Sequence, residues 1–223
     1  MNPLVMRSVT VKARDLCILL VVLFVATIVA CYAVAISPQL ITKDFFTISL
    51  AFQYDPGRAI ASFGLPLIGF VGYFIFLARI LYAPDIKEED RKYSDLRLKW
   101  AHRCALFCPI GFIGVGALTL DYSVIAHSFF ASGLFILEGI AFILLLAEDH
   151  LAVYGKWNRL LIFRLVLIIV GILALGCMGL GQLYNLVATS VGEIVFAVCA
   201  ITYIVSFSKE LSGYSLQVQL IKT

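Results

Sequence analysis

The amino-acid sequence predicts an all-α fold: a polytopic membrane protein whose six transmembrane helices form one bundle, with both chain ends in the cytoplasm. Of its 223 residues, 62% are hydrophobic and 14% are charged, whereas an ordinary soluble domain is about 45–50% apolar and about 25% charged. The hydrophobic residues fall into six long runs, and the basic residues between them lie almost entirely on one side. So few polar side chains cannot coat a soluble domain of this length, and we therefore expect the bilayer to be the solvent.

Six apolar runs are long enough to cross a membrane. A hydrocarbon core about 30 Å thick requires about 20 apolar residues in a helix, because a helix satisfies its own backbone hydrogen bonds there. No internal repeat or separate soluble domain is evident, so residues 1–223 are interpreted as one domain. The predicted spans are Leu16 to Ile36, Ala59 to Tyr82, Cys104 to Leu120, Ser128 to Ala147, Leu160 to Leu180 and Leu186 to Phe207.

The first run has some features of a signal peptide, because Arg7, Lys12 and Arg14 precede it and the sequence "AVA" closes it. Its apolar core is longer than the about 7–15 residues of a signal peptide. A retained helix is therefore the preferred interpretation, and cleavage is the alternative. The second run follows "YDPGR", in which Asp55 suits a helix N-cap and Pro56 suits the first helical position.

The other four runs each carry a distinguishing feature. The third is the shortest, and Pro109 is expected to kink it. His127 opens the fourth run, which has Glu138 near its centre. The fifth and sixth are separated by a short loop at residues 181–185 that contains no basic residue, and Glu193 lies about two turns into the sixth.

The orientation of the bundle follows from the basic residues near the span ends. Fifteen of the 17 Lys and Arg residues fall in the amino tail, the second connection, the fourth connection and the carboxyl tail. Only Lys43 and Arg58 fall on the other side. With an even number of spans, this bias predicts that both termini are cytoplasmic.

The connection from Pro84 to Arg103, "PDIKEEDRKYSDLRLKWAHR", mixes acidic and basic residues. We interpret it as a solvated helical connector with opposite charges on neighbouring turns. The alternative is a docking site for a cytosolic protein partner or for anionic lipid headgroups. Its acids largely cancel its bases, which argues against a purely polybasic lipid patch.

Ionisable residues inside apolar runs are costly to bury, so each is a candidate functional residue. Glu138 and Glu193 are expected to face the bundle interior or a hydrated cavity. On the non-cytoplasmic face the sequence further suggests a polar vestibule for a lipid or another ligand. Its candidate residues are Asp55, Arg58, Asp121, His127 and Glu193. The alternative is that these residues are ordinary interfacial groups, hydrogen-bonded to headgroups and water.

The sequence offers no recognisable catalytic or metal-binding set. A lipid hydrolase needs a nucleophile with a base and an orienting acid, or a metal held by several His and carboxylate ligands. No G-x-S-x-G, H-E-x-x-H or H-x-x-x-x-D motif is present. The six cysteines all lie in apolar runs and are expected to be packing groups. We therefore expect no catalytic residue, metal, cofactor or nucleic-acid partner, and the preference is against an enzyme.

Four segments occur in a defined order relative to the spans. They are "TISLAFQYDPGRAIASFG" before the second span, "AHSFFASG" at the fourth, "YGKWNRLLIFRLVLI" at the fifth and "VGEIVFAVCAITYIVSFSKEL" in the last. Together they resemble the Frag1/DRAM/Sfk1 family of six-span membrane proteins, which includes the CWH43-like N-terminal domain. The resemblance extends from the first span to about Leu211.

The first of these segments carries the most family features. Ile48 and Ser49 match the family's "IS" element, and Pro56, Gly57 and Arg58 match the segment that leads into the second helix. Asp55 occupies the position at which a first proline is common. The resemblance thus implies that this segment is the family's outside loop, which leads into the second helix.

Two ionisable residues also match family positions. His127 corresponds to the histidine at the start of the fourth helix, and Glu193 corresponds to the acid of an "E-W" pair in the last helix, with Ile194 in place of the tryptophan. The segments "YGKWNRLLIFR" and "SGYSLQVQL" look most like the DRAM-like branch. That branch implies a non-enzymatic multi-pass regulator of autophagy or membrane lipid organisation, in lysosomal or other endomembranes and in contact with membrane lipids.

Two other branches of the family remain as alternatives. One implies a Golgi or ER factor, either an enzyme or an essential subunit of one, that remodels the lipid of GPI anchors. The other is Sfk1-like and implies a scaffold for phosphatidylinositol 4-kinase at the plasma membrane.

Overall fold

Six long helices, one short α-helix, a 3-10 helix and a two-stranded ribbon are the secondary-structure elements in the part of the chain that the computed structural model describes. The described residues are 7–35, 47–53, 55–82, 95–120, 122–152, 156–184 and 186–220. In chain order the elements are β1 (Arg7–Lys12), α1 (Ala13–Ala35), α2 (Ile48–Ala51), α3 (Gly57–Tyr82), α4 (Asp95–Ala117), α5 (Val124–Ala152), α6 (Arg159–Tyr184), α7 (Leu186–Val205), a 3-10 helix (Ser206–Lys209) and β2 (Ser215–Leu220).

The six helices α1 and α3 to α7 are long and apolar enough to cross a membrane, which confirms the predicted six-span fold class. Along the chain, α1 packs against α3, α3 against α4 and α4 against α5, while α6 pairs with α7. Helix α7 also contacts α1, α3 and α5 and so closes the bundle. Large apolar side chains such as Val29, Phe63 and Ile125 remain exposed on the outside, as expected for a surface that faces lipid.

The third long helix extends back from its predicted span into the connection before it. α4 starts at Asp95, so residues 95–103 of the 84–103 connection are helical, as expected of a helical connector, and they continue directly into the span expected from Cys104. Leu98 and Ala101 in this extension are buried, and Arg97 is ion-paired with Glu148 on α5. Packing and charge pairing therefore extend the helix beyond its apolar run. Residues 84–94 of the connection lie outside the described residues.

The two chain ends pair with each other, which the sequence analysis did not predict. β1 and β2 are antiparallel, with Arg7 opposite Leu220 and Lys12 opposite Ser215. We call the end of the bundle that carries this ribbon the terminal end, and the opposite end, with α2 and residues 118–120 and 122–123, the distal end. The ribbon places both chain ends on one side of the bundle; that this side is cytoplasmic stays a prediction.

Glycines allow close contacts between the backbones of neighbouring helices, and Gly69 and Gly192 are two examples. A Cβ atom on Gly69 of α3 would lie 2.8 Å from the Cα of Pro109 on α4, and one on Gly192 of α7 would lie 2.7 Å from the carbonyl oxygen of Ala174 on α6. Only a residue without a side chain permits these approaches, as is common between membrane helices.

The six cysteines are free thiols, and five of them are buried. Cys104 and Cys108 both point from α4 into the packed interior. They contribute to packing, and Cys177 is the exposed member of the set.

Candidate functional site

The short helix α2 at the distal end is held by its own first turn. Thr47 is its N-cap, and the Thr47 side chain accepts a hydrogen bond of 3.0 Å from the backbone N–H of Leu50. Ile48 and Ala51 are buried against the bundle. The first N–H groups of any helix lack partners within the helix, and α2 directs one of them at a carboxylate on α7.

Glu193 of α7 accepts hydrogen bonds from two groups on α2. The backbone N–H of Ile48 lies 2.7 Å from its Oε2 atom, and the hydroxyl of Ser49 lies 2.5 Å from its Oε1 atom. Only 8% of Glu193 is exposed. A buried carboxylate needs such partners to offset the loss of water, and Glu193 therefore fixes α2 against α7.

His127 of α5 contacts the same serine from the other side. Its Nε2 atom lies 3.2 Å from Ser49 Oγ, and its Nδ1 atom lies 2.8 Å from the carbonyl oxygen of Leu118. Only 3% of His127 is exposed. The turn between α4 and α5 thus orients the imidazole, and a continuous hydrogen-bonded chain links Leu118, His127, Ser49 and Glu193.

The hydrogen bonds of this chain assign one proton of His127 and the direction of the Ser49 to Glu193 bond. A carbonyl oxygen can only accept, so Nδ1 of His127 must carry a proton, an assignment made from the bonding pattern. Ser49 has one hydroxyl proton for two neighbours. It donates this proton to Glu193, the nearer neighbour at 2.5 Å. Glu193 thus accepts hydrogen bonds from both of its α2 partners, which lowers the cost of burying it.

These residues line a cavity of about 260 Å³ between α2, α5, α6 and α7, which we call the distal cavity. This volume is slightly below the about 300–1,000 Å³ typical of small-molecule sites. Its described lining combines hydroxyl groups and the two ionisable side chains with apolar residues. The lining residues are Thr47, Ser49, Leu50, Leu120, His127, Ser128, Ala131, Ser132, Phe135, Met178, Thr189 and Glu193.

Not all of the predicted vestibule residues come together here. His127 and Glu193 do, through Ser49, whereas neither Asp55 nor Arg58 lines the distal cavity. The guanidinium of Arg58 donates to the carbonyl oxygen of Gln53 at 2.8 Å and lies 4.0 Å from Asp55. Both of those charged side chains are well exposed, so their pairing contributes little to stability. Asp121 lies outside the described residues.

Helix α3, which follows α2, starts at Gly57, one residue after the first helical position that was predicted at Pro56. We expected Asp55 as the N-cap of the second span, but α3 begins at Gly57. The Pro56 carbonyl accepts the first helical bond, 3.1 Å from the Ile60 nitrogen. Pro56 therefore occupies the cap position, and Asp55 lies outside the helix.

Glu138 lies in a separate and smaller cavity near the middle of the bundle. Only 4% of it is exposed, and the surrounding cavity of about 50 Å³ is otherwise lined by apolar residues and Cys108. Phe135 lines both cavities and lies 4.8 Å, centroid to centroid, from Phe196. This aromatic pair separates Glu138 from Glu193, which argues against a continuous polar path through the bundle.

A buried charge cluster at the terminal end was missed by the sequence analysis. Arg79 of α3 and Arg164 of α6 are 1% and 0% exposed. Both bind Asp149 of α5 and Glu210: Arg79 lies 3.0 Å from Glu210, and Arg164 lies 2.8 Å from Asp149 and 2.9 Å from Glu210. The guanidinium of Arg164 also lies 4.7 Å from the centre of the Phe207 ring. Two cations and two anions therefore lock the helices together at this end.

The residues that the sequence analysis missed left different signals. Arg79, Asp149 and Arg164 are charges at the ends of apolar runs, and a search for opposite charges at the same end would have suggested their pairing. Ser49 lies in the quoted "IS" element, but a serine carries no charge that marks it as costly to bury. Among the described residues, no three His, Cys, Asp or Glu side chains are grouped as a metal site would require.

The fold and the site define a class of protein, a six-helix membrane bundle with a polar cavity near one end. Over residues 13–214 the chain matches the family described as the Frag1/DRAM/Sfk1/Cwh43P N-terminal domain, and it belongs to this family. A search of curated proteins and a search of solved structures each returned no match. The match confirms the family and the integral membrane character expected from the sequence, whereas the DRAM-like branch stays a prediction.

Proposed function

We propose that the protein is a non-enzymatic regulator of lysosomal or other endomembranes, which modulates autophagy or membrane lipid organisation by binding lipid in the distal cavity. The observation that carries this proposal is the bonding of Ser49, whose hydroxyl lies between Glu193 and His127 at the cavity wall. Family membership supports a multi-pass membrane protein of this kind.

The bonding around Ser49 favours a binding site over a catalytic one. A serine nucleophile needs an oxyanion site, usually made of free backbone N–H groups nearby. The N–H of Ile48, the residue before Ser49, is already donated to Glu193. The carboxylate also lies closer to the serine hydroxyl than the imidazole does, at 2.5 Å against 3.2 Å. The geometry thus fits a binding pocket in which the contacts of Glu193 hold α2 in place as part of the pocket wall.

A second part of this proposal concerns the terminal end. We propose that residues 84–103 bind a cytosolic protein partner, and that this binding depends on whether the distal cavity holds a lipid. What supports it is the mixed charge of this segment and the exposure of Trp100, at 49%, on the part of α4 that belongs to it. A soluble protein can bind such a surface without entering the bilayer.

The test is a cellular one, with localisation of a tagged copy as its first readout. In cells lacking the chain, re-expressed His127→Ala and Glu193→Ala should fail to restore autophagic flux or the distribution of lipids between membranes, while lipid turnover stays unchanged. Ser62→Ala is the matched control, since the Ser62 hydroxyl is exposed and bonds only the carbonyl of Ala59. Full rescue by both cavity variants would contradict the proposal.

One observation favours a second candidate function, a factor that remodels the lipid of GPI anchors. His127 presents Nε2 to the Ser49 hydroxyl while a carbonyl orients Nδ1, which is the arrangement of a serine activated by a base. This candidate predicts that Ser49→Ala abolishes remodelling of a GPI-anchored reporter in cells. Normal reporter lipids in the Ser49→Ala cells would exclude it.

A further inference from the structure

The lining of the distal cavity restricts the kind of lipid headgroup that it accepts. Among the described lining residues only His127 and Glu193 are ionisable, and the Glu193 carboxylate accepts a hydrogen bond from Ser49. Arg58, the cation at this end of α3, is turned toward the carbonyl of Gln53 and does not line the cavity. A phosphate group entering here would meet the Glu193 carboxylate and no Lys or Arg among the described lining residues, which disfavours binding.

Hydroxyl groups are the other polar feature of the lining. Five of the described lining residues carry one, and they are Thr47, Ser49, Ser128, Ser132 and Thr189. Ser128 and Ser132 are four residues apart on α5 and so lie on one face, a turn apart. A hydroxyl can both donate and accept a hydrogen bond, so this wall matches a ligand that is itself uncharged and bears hydroxyls.

The apolar part of the lining indicates where the rest of the ligand lies. Leu50, Leu120 and Met178 face the same cavity, and its volume of about 260 Å³ admits a headgroup and not a whole lipid. Acyl chains would therefore extend into the bilayer beside exposed residues such as Ile125 and Phe129 at the distal end of α5.

We infer that the distal cavity selects the uncharged, hydroxyl-bearing head of a glycerolipid and discriminates against a phosphate in the same position. The inference rests on the proposed function, because it names the class of lipid that the cavity binds. The shared chemistry is a hydroxyl on an uncharged head, and it has two sources, the free glycerol hydroxyl of a diacylglycerol and the sugar of a glycosyl diacylglycerol.

A matched pair of lipids tests this inference on the purified full-length chain in detergent. Dioleoylglycerol and dioleoyl phosphatidic acid have the same chains and glycerol and differ in the phosphate, and saturation binding of each is measured. We expect dioleoylglycerol to bind at least about tenfold more tightly, because the phosphate is placed against Glu193. A third arm with galactosyl dioleoylglycerol identifies the source: equal binding indicates that a sugar fits, and weaker binding indicates the glycerol hydroxyl.

Variants connect the selectivity to the cavity wall. Ser132→Val removes one lining hydroxyl and should weaken dioleoylglycerol binding by about tenfold, roughly one hydrogen bond, and Ser128→Ala serves as the second variant if Ser132→Val folds poorly. Ser62→Val, on the exposed face of α3, should have no effect. Phosphatidic acid binding as tightly as dioleoylglycerol, or no dioleoylglycerol binding at all, would overturn the inference. Such a result would leave the cellular effect of His127→Ala and Glu193→Ala intact if only the lipid class is wrong.

Discussion

The Ser49 hydroxyl and the Glu193 carboxylate lie 2.5 Å apart although 144 residues separate them in sequence. Together with the Ile48 N–H bond, this contact fastens a four-residue helix to the last membrane helix. A helix this short has little stability of its own. The distal cavity therefore depends on one carboxylate for the position of the wall formed by α2.

Replacing Glu193 should loosen α2. In Glu193→Gln the side chain has one acceptor oxygen for two donors, so a buried donor loses its partner at a cost of about 1–3 kcal/mol. Thermal unfolding in detergent and hydrogen exchange of the Ile48 and Ser49 amides measure the effect. Glu138→Gln is the matched control, because no hydrogen bond to Glu138 occurs among the described residues. Equal stability of the two variants would contradict the role given to Glu193.

The hydrogen-bonded side chains of His127, Ser49 and Glu193 should contribute to stability as a unit. Since Ser49 bonds both neighbours, Ser49→Ala and His127→Phe should be non-additive, with a coupling energy of about 0.5–3 kcal/mol. A double-mutant cycle on unfolding free energies measures it. If the losses of unfolding free energy in the two single variants add up to the loss in the double variant, the contact between His127 and Ser49 contributes nothing to stability.

The terminal charge cluster should be sensitive to an imbalance of charge. Asp149→Asn leaves Arg79 and Arg164 with Glu210 alone, and breaking a buried ion pair on one side costs about 3–5 kcal/mol. The neutral double variant Arg79→Met with Asp149→Leu should be more stable than Asp149→Asn, because it leaves no unbalanced charge. The melting temperatures of the unmodified protein, Asp149→Asn and the double variant test this prediction. A double variant less stable than Asp149→Asn would contradict it.

The glycine contacts predict a clear contrast between positions. Gly69→Ala and Gly192→Ala should destabilise the bundle, since each new Cβ would lie within 3 Å of backbone atoms of the neighbouring helix. Gly176 has nothing within 4 Å, and Gly176→Ala should be neutral or stabilising by up to about 1 kcal/mol through helix propensity. Thermal unfolding of the three variants measures this contrast, and equal effects would show that the helices do not approach as closely as described.

The orientation predicted from the basic residues has a direct chemical test. In sealed microsomes a membrane-impermeant maleimide should label Thr10→Cys at once and Tyr122→Cys only after permeabilisation, since both positions are exposed at opposite ends. The unmodified chain controls for Cys177, its exposed native thiol. Labelling in the reverse order would show that the terminal end faces the lumen.

Much of the fold could be predicted because each membrane span is determined by one continuous run of apolar residues. Six apolar runs gave six helices, since a run of about 20 apolar residues has few other stable forms in a bilayer. The expectation of a fully solvated connector was wrong, because Leu98 and Ala101 are buried and the ion-pair partner of Arg97, Glu148, lies on another helix. Pairing of β1 with β2 depends on contacts across the whole chain and has no local signal in either tail.

The candidate site could be predicted in part for a similar reason. His127 and Glu193 stood out because ionisable groups in apolar runs are costly, and the structure joins them. Arg58 stood out equally but is bound locally to Gln53, since a basic group at an exposed helix start can reach a nearby carbonyl. Ser49 links the other two and could be identified only from the three-dimensional arrangement.

The central claim is that the distal cavity holds a lipid headgroup, and photo-crosslinking tests it most directly. A dioleoylglycerol with a diazirine close to its glycerol is irradiated with the full-length chain, and the labelled peptides are mapped by mass spectrometry. The account predicts labelling of cavity residues such as Ser132 and Met178, reduced in Glu193→Gln and unchanged in Glu138→Gln. Labelling confined to outward-facing residues such as Ile172 and Leu173, and equal in all three proteins, would contradict it.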